Sequence, residues 1–269
     1  SAASVALRKQ RIEHAANDRV IQQKSTRCNL AWLGLILPVS LLAFAEWAAH
    51  VGWVEARLLP PPSEIAQTLV ALVDQGLLGH IGASTTRVFS GYAIGASLAI
   101  VFGLLIGLNR QVEAFFDPTF QALRAIPSLA WVPLLLLWFG IDETPKITLI
   151  AIGAFFPVYL GLVSGIRNVD RKLIELGEMY GLHPLAMARR IVLPAALPSL
   201  FTGLRNGLSL AWMFLVAAEL IAATRGIGYL LTDGRETSRP DVVLAAILFV
   251  QTVAAIFASI AGGRNRLLV

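Results

Sequence analysis

Charged residues are scarce in this chain. Asp, Glu, Lys and Arg make up 14% of its 269 residues, against about a quarter in soluble domains. Apolar residues make up 56%, and mean hydropathy is +0.69. That shortage over that length excludes an ordinary soluble domain and reads as an all-α integral membrane protein. Cysteine occurs once, at Cys28, which excludes an internal disulfide and a cysteine metal cluster. The histidines His14, His50, His80 and His183 are scattered without metal-ligand spacing, so no metal is expected. No G-x-x-x-x-G-K-[ST] phosphate loop is present, and no His/Asp/Glu or Ser/His constellation is clustered for catalysis. The chain is therefore read as no enzyme by itself and as binding no cofactor. An ion-coupled carrier or channel would need acidic residues or a repeat within its spans, and the apolar runs offer almost none. The net charge of +5 fits cytoplasmic loops facing anionic membrane lipid better than nucleic acid.

What is abundant is long apolar runs. A bilayer core needs about 20 mostly apolar helical residues. Six runs meet this: Cys28–Ala45, Val88–Leu108, Ala125–Ile141 (extending back to about Pro118), Ile147–Ile166, Pro198–Leu220 and Val242–Gly263. The first is too long for the apolar part of a cleaved signal. This divides the chain into a polar tail (1–29), one six-helix membrane domain (30–263) and a short C-terminal segment (264–269). Lys and Arg concentrate in the tail, around Arg110, in Arg167–Arg190 and at Arg264 and Arg266. The bias places both termini and the Arg167–Arg190 loop in the cytoplasm. On the outer side, Ser63 is expected to cap a short amphipathic helix over Glu64–Val73. The outer loop 226–239 carries an apolar patch of Ile227, Tyr229, Leu230 and Leu231, read as packing on the outer mouth.

The loop 170–194 holds the clearest local pattern. Asp170 is a helix cap, and Leu173, Leu176, Met179 and Tyr180 recur at three and four residues, which makes one apolar stripe. Gly181 and His183-Pro184 stop that helix. A second short helix is expected over Leu185–Ile191, with Pro194 and Pro198 bending the chain into the fifth span. A helix-turn-helix lying on the membrane surface with an apolar ridge suits docking into a groove of a partner.

Within this loop, Glu175, Gly177, Gly181, Ile191, Leu193 and Pro194 stand at the spacing of the "EAA" loop of bacterial ABC importer permeases, which the stretch Glu175–Pro194 resembles. Leu176 departs from the alanine common there. The segments 123–142, 165–182 and 203–220 resemble permeases of the nitrate, taurine and aliphatic-sulfonate importers. WFGID and RGIGYLLTDGRE look most like the aliphatic-sulfonate branch. The likeness covers roughly residues 59–250. It implies a type I permease architecture with a cytoplasmic coupling helix in a bacterial inner membrane. It further implies a second permease copy, two ATP-binding subunits carrying ATP and Mg, and an outer soluble substrate-binding protein. The cargo implied is a small oxyanion, an aliphatic sulfonate ahead of taurine, nitrate or bicarbonate.

Candidates for the substrate path are Arg124 and Arg205, with the hydroxyls of Ser128, Ser164 and Ser209. Charges inside a membrane point to function. The two arginines also fit a second role, lying near the cytoplasmic span ends and reaching the headgroups. Glu219, close to Arg225 in sequence, reads as one half of a structural ion pair or gate contact. Gly91, Gly95, Gly103 and Gly107, at four-residue steps, read as close helix packing.

Overall fold

The computed structural model describes residues 36–53, 55 and 59–263. Cys28, the polar tail and the segment 264–269 lie outside them. All regular structure among the described residues is helical, and the chain divides into two units, Ser1–Ala66 and Gln67–Val269.

The first unit holds α1 (Ile36–His50). Glu46 near its end accepts hydrogen bonds from the Ser63 amide at 3.1 Å and hydroxyl at 2.8 Å. Ser63 is therefore not a cap: its hydroxyl is spent on Glu46. The helix α2 (Pro62–Asp74) instead starts on Pro62, where a missing N–H costs nothing.

In the second unit, α3 (Leu77–Leu108), α6 (Glu143–Arg167) and the run Pro184–Ile221 are long and apolar enough to cross a bilayer. Most of that run is α9 (Leu193–Ala222). Glycines set how these three helices meet. A Cβ at Gly91 would lie 2.7 Å from Ile150, and one at Gly107 would lie 2.6 Å from Ile166, so α3 and α6 run in the same direction in step. Gly165 meets Ser199, Gly161 meets Gly203, and Gly207 meets Val158, so α9 runs the opposite way. Small residues let these backbones approach closely, and a side chain at any of these positions would separate them.

The third apolar run is not one straight span. It takes in the end of α4 (Arg110–Ala125), a 3₁₀ turn at Ser128–Trp131 and α5 (Val132–Phe139), and the two helices are bent by 87°. Ile126 takes an extended backbone, as the residue before Pro127 is driven to do. Phe116 and Phe120 of α4 stack into a cluster with Phe102, Phe155 and Tyr159. With the bent pair counted as one span, the described residues hold up to four spans, and α1 and Pro240–Val253 are shorter apolar helices. The segment 226–239 is not a loop: it contains α10 (Ile227–Glu236), with Ile227 and Leu230 buried. The chain then enters α11 (Pro240–Gly263).

Candidate functional site

The first site grows from the turn after α6. Asp170 caps α7 (Arg171–Met179) by accepting the Lys172 amide at 2.9 Å. Gly181 has φ +67 and ends the helix, and the Leu182 amide returns to the Gly177 carbonyl at 3.0 Å. The next helix, α8 (Pro184–Met187), does not stop near Ile191 as expected. It passes through a π turn at Ala188–Val192 straight into α9, and the Leu193 amide bonds to the Ala188 carbonyl. In an unbroken α-helix the Pro194 ring would clash with the Arg190 carbonyl, and that carbonyl would lose its donor. The π turn stands directly before Pro194, where a regular α-helical turn is disfavoured. The bend expected at Pro194 and Pro198 is thus a widened turn in a continuous helix.

The α7 helix folds back onto this turn at Gly177, which is buried. A Cβ there would lie 2.5 Å from Met187 Sδ and 2.7 Å from Ile191 Cδ1. The apolar stripe beside it is bare: Leu173 is 42% exposed, Leu176 48%, and Met179 and Tyr180 83% each. Leu185 on α8 is also exposed. Glu175 pairs with Arg171 at 3.2 Å on the surface, a contact worth little by itself. Ile191, in the π turn, and Leu193 are half-buried, and Pro194 is exposed; Leu193 and Pro194 open α9.

The five candidates for a substrate path do not form one cluster. Ser164 lies near the α7 end of α6 and accepts from Asn168 Nδ2 at 3.1 Å. Ser128 opens the 3₁₀ turn and is half-buried. The Ser209 hydroxyl donates to the Arg205 carbonyl at 3.2 Å. Arg205 is not at a span end. Its neighbours Gly203 and Gly207 face Gly161 and Val158, near the middle of α6. Arg124 stands in the last turn of α4, beside the break at Ile126–Pro127. Arg205 is exposed on the same face of α9 as Thr202 and Ser209.

A second site, at the opposite end of α3, α6 and α9, was not visible in sequence. The Glu219 side chain is wholly buried and accepts from Ser84 Oγ, Arg87 Nη1 and the Gly228 amide at 2.7–2.9 Å. Arg87 also forks onto Glu143 at 2.5 and 2.7 Å, and Lys146 reaches Glu143 at 3.2 Å. Glu219 is therefore partnered by Arg87, 132 residues away. Arg225 contributes only its carbonyl, which accepts from Arg87 at 2.5 Å. His80 bonds Gly226 and stacks on Tyr229 at 5.8 Å, which further fastens the start of α10. Glu143 and Glu219 stand at or near a helix end and Arg87 lies about three turns into α3, and no local spacing joins them.

Comparison with known proteins bears on what these two ends do. Residues 99–264 match the family described as binding-protein-dependent transport system inner membrane component. The chain is 39% identical over 239 residues to the putative aliphatic sulfonates transport permease protein SsuC of Bacillus subtilis, covering 88% of this chain and 87% of that protein. It is 43% identical over 213 residues to the protein of the same description from Escherichia coli, covering 79% and 81%. A solved structure titled as an amino acid ABC transporter with histidines contains a chain that superposes with a TM-score of 0.63 at 16% identity. It covers 74% of this chain and 97% of that one, a likeness of fold.

Proposed function

As this chain belongs to the family of binding-protein-dependent transport system inner membrane components, we propose that it carries aliphatic sulfonates into the cytoplasm by alternating access, driven by ATP hydrolysis on a partner. The observation that carries the drive is the bare ridge of Leu173, Leu176, Met179 and Tyr180 on a helix clamped to the next one. A ridge of this kind suits a groove of an ATPase subunit. Because α8, the π turn and α9 are one continuous helix, a push on α7 at Gly177 is delivered directly to α9. The polar face of α9, with Arg205 at mid-span, supplies an anion path: a charge at that depth needs water, a partner or an anion beside it. Nucleotide and Mg belong to the ATPase.

In this reading the permease works as a homodimer of six-span subunits with two ATPases. The segment 170–194 and both termini lie in the cytoplasm, and a soluble binding protein docks outside. The sulfonate cargo is supported by the names of the two relatives. The test is the ATPase rate of the reconstituted complex with its binding protein. Ethanesulfonate is expected to stimulate it several-fold and nitrate to leave it unchanged. Stimulation by nitrate and not by ethanesulfonate would reassign the cargo.

A further inference from the structure

The end of the spans away from α7 combines buried cations with one exchangeable anion. Arg87 and Lys146 have side chains only 8% and 6% exposed, so each needs a negative partner. Glu219 is closed to solvent and fully hydrogen-bonded, and its role is structural. Glu143 is different. It pairs with both buried cations, yet its side chain is 49% exposed. It lines a cleft of about 640 Å³ with Gly79, Thr86, Ser90 and Arg225. Arg225 lies over Gly79, with Nη2 3.7 Å from where a Cβ would stand, and no carboxylate pairs with it among the described residues. The cleft wall from α3 is small and hydroxylated, which leaves room for a ligand. A neighbouring cavity of about 360 Å³ at the α4–α5 bend has no charged side chain in its lining and does not suit an anion.

We propose that this cleft is an oxyanion-binding site in which the substrate's charged group takes the place of the Glu143 carboxylate on Arg87. A sulfonate, like a carboxylate, offers two oxygens to a guanidinium fork. Arg225 supplies the second cation at the rim, and the released Glu143 turns into water, where its charge is easily solvated. The site rests on the reading of the chain as an oxyanion importer. It deepens that reading by placing substrate capture at the end of the spans opposite the ATPase-docking ridge. Glu143 then sets a threshold: only an anion that outcompetes it gains the fork.

The test is calorimetric titration of the full permease with its ATPase subunits, in maltoside micelles free of phospholipid, using sodium ethanesulfonate as the probe. Glu143→Gln keeps the side chain's shape and removes the competing charge, so affinity should rise tenfold or more. Arg225→Gln alters an exposed side chain, and affinity should fall tenfold or more. Either response supports the site, and unchanged affinity in both variants overturns it. If Glu143→Gln does not assemble, Arg225→Gln alone decides. A parallel titration with phosphatidylglycerol separates the two sources of oxyanion. Stoichiometric displacement of ethanesulfonate by that lipid would assign the cleft to a headgroup and overturn the substrate assignment. Recovery of ATPase with the wild-type chain is scored in the same preparations, so failure of the importer reading is seen separately from failure of the cleft.

Discussion

Glu219 shows how much one buried side chain can hold. Its carboxylate gathers Ser84 of α3, Arg87 of α3 and the amide of Gly228 at the start of α10. Removing the charge leaves Arg87 with Glu143 alone, and breaking a buried pair costs about 3–5 kcal/mol. Glu219→Gln is therefore expected to lower the melting temperature of the detergent-purified chain by roughly 6–20 °C, measured by thermal shift. An unchanged melting temperature would show that the pair adds nothing to stability. The sequence could mark Glu219 as a costly charge near a span end. It could not name Arg87 as the partner, because the nearer cation, Arg225, was the obvious candidate along the chain. Pairing across 132 residues is set by which helix ends meet, and no local pattern records that.

At the scale of elements, α7 was largely legible. The Asp170 cap, the stripe of Leu173, Leu176, Met179 and Tyr180, and the Gly181 stop follow from propensity and period, and the helix forms where they put it. The next element was not legible, because two prolines can bend a helix or be absorbed by a π turn, and the choice depends on what packs around it. Val192 and Ala196 are buried against Leu162 and Ile166, so both sides of the turn pack on α6. The contact at Gly177 gives a direct prediction. In Gly177→Val the side chain would strike Met187 and Ile191, lifting α7 from the helix that leads into α9. Co-purification of the ATPase subunit should fall at least tenfold while the permease still reaches the membrane at its usual level. Retained co-purification would mean that the clamp is not needed for docking.

Across the whole membrane unit, the two ends are separated by the length of α6, about 37 Å for 25 residues. In the proposed function the α7 ridge faces the drive, and the Arg87–Glu143–Glu219 cluster sits at the far end. Arg205 stands between them on the polar face of α9. Arg205→Gln should therefore cut uptake more than tenfold while ATPase co-purification stays intact. Loss of both together would place Arg205 in the scaffold and not on the path. Composition and apolar runs by themselves determined that this chain is helical and crosses a membrane, because the bilayer demands length and apolarity that any sequence must display. The spacing of Glu175, Gly181 and Ile191–Pro194 pointed to the machine it belongs to. Only the tertiary structure decided that the third run is broken at Ile126–Pro127, that Arg205 lies at mid-span, and that Glu143 fills a fork open to a cleft. Those outcomes depend on which helix faces meet and in what direction, and that is settled by packing between residues far apart in the chain.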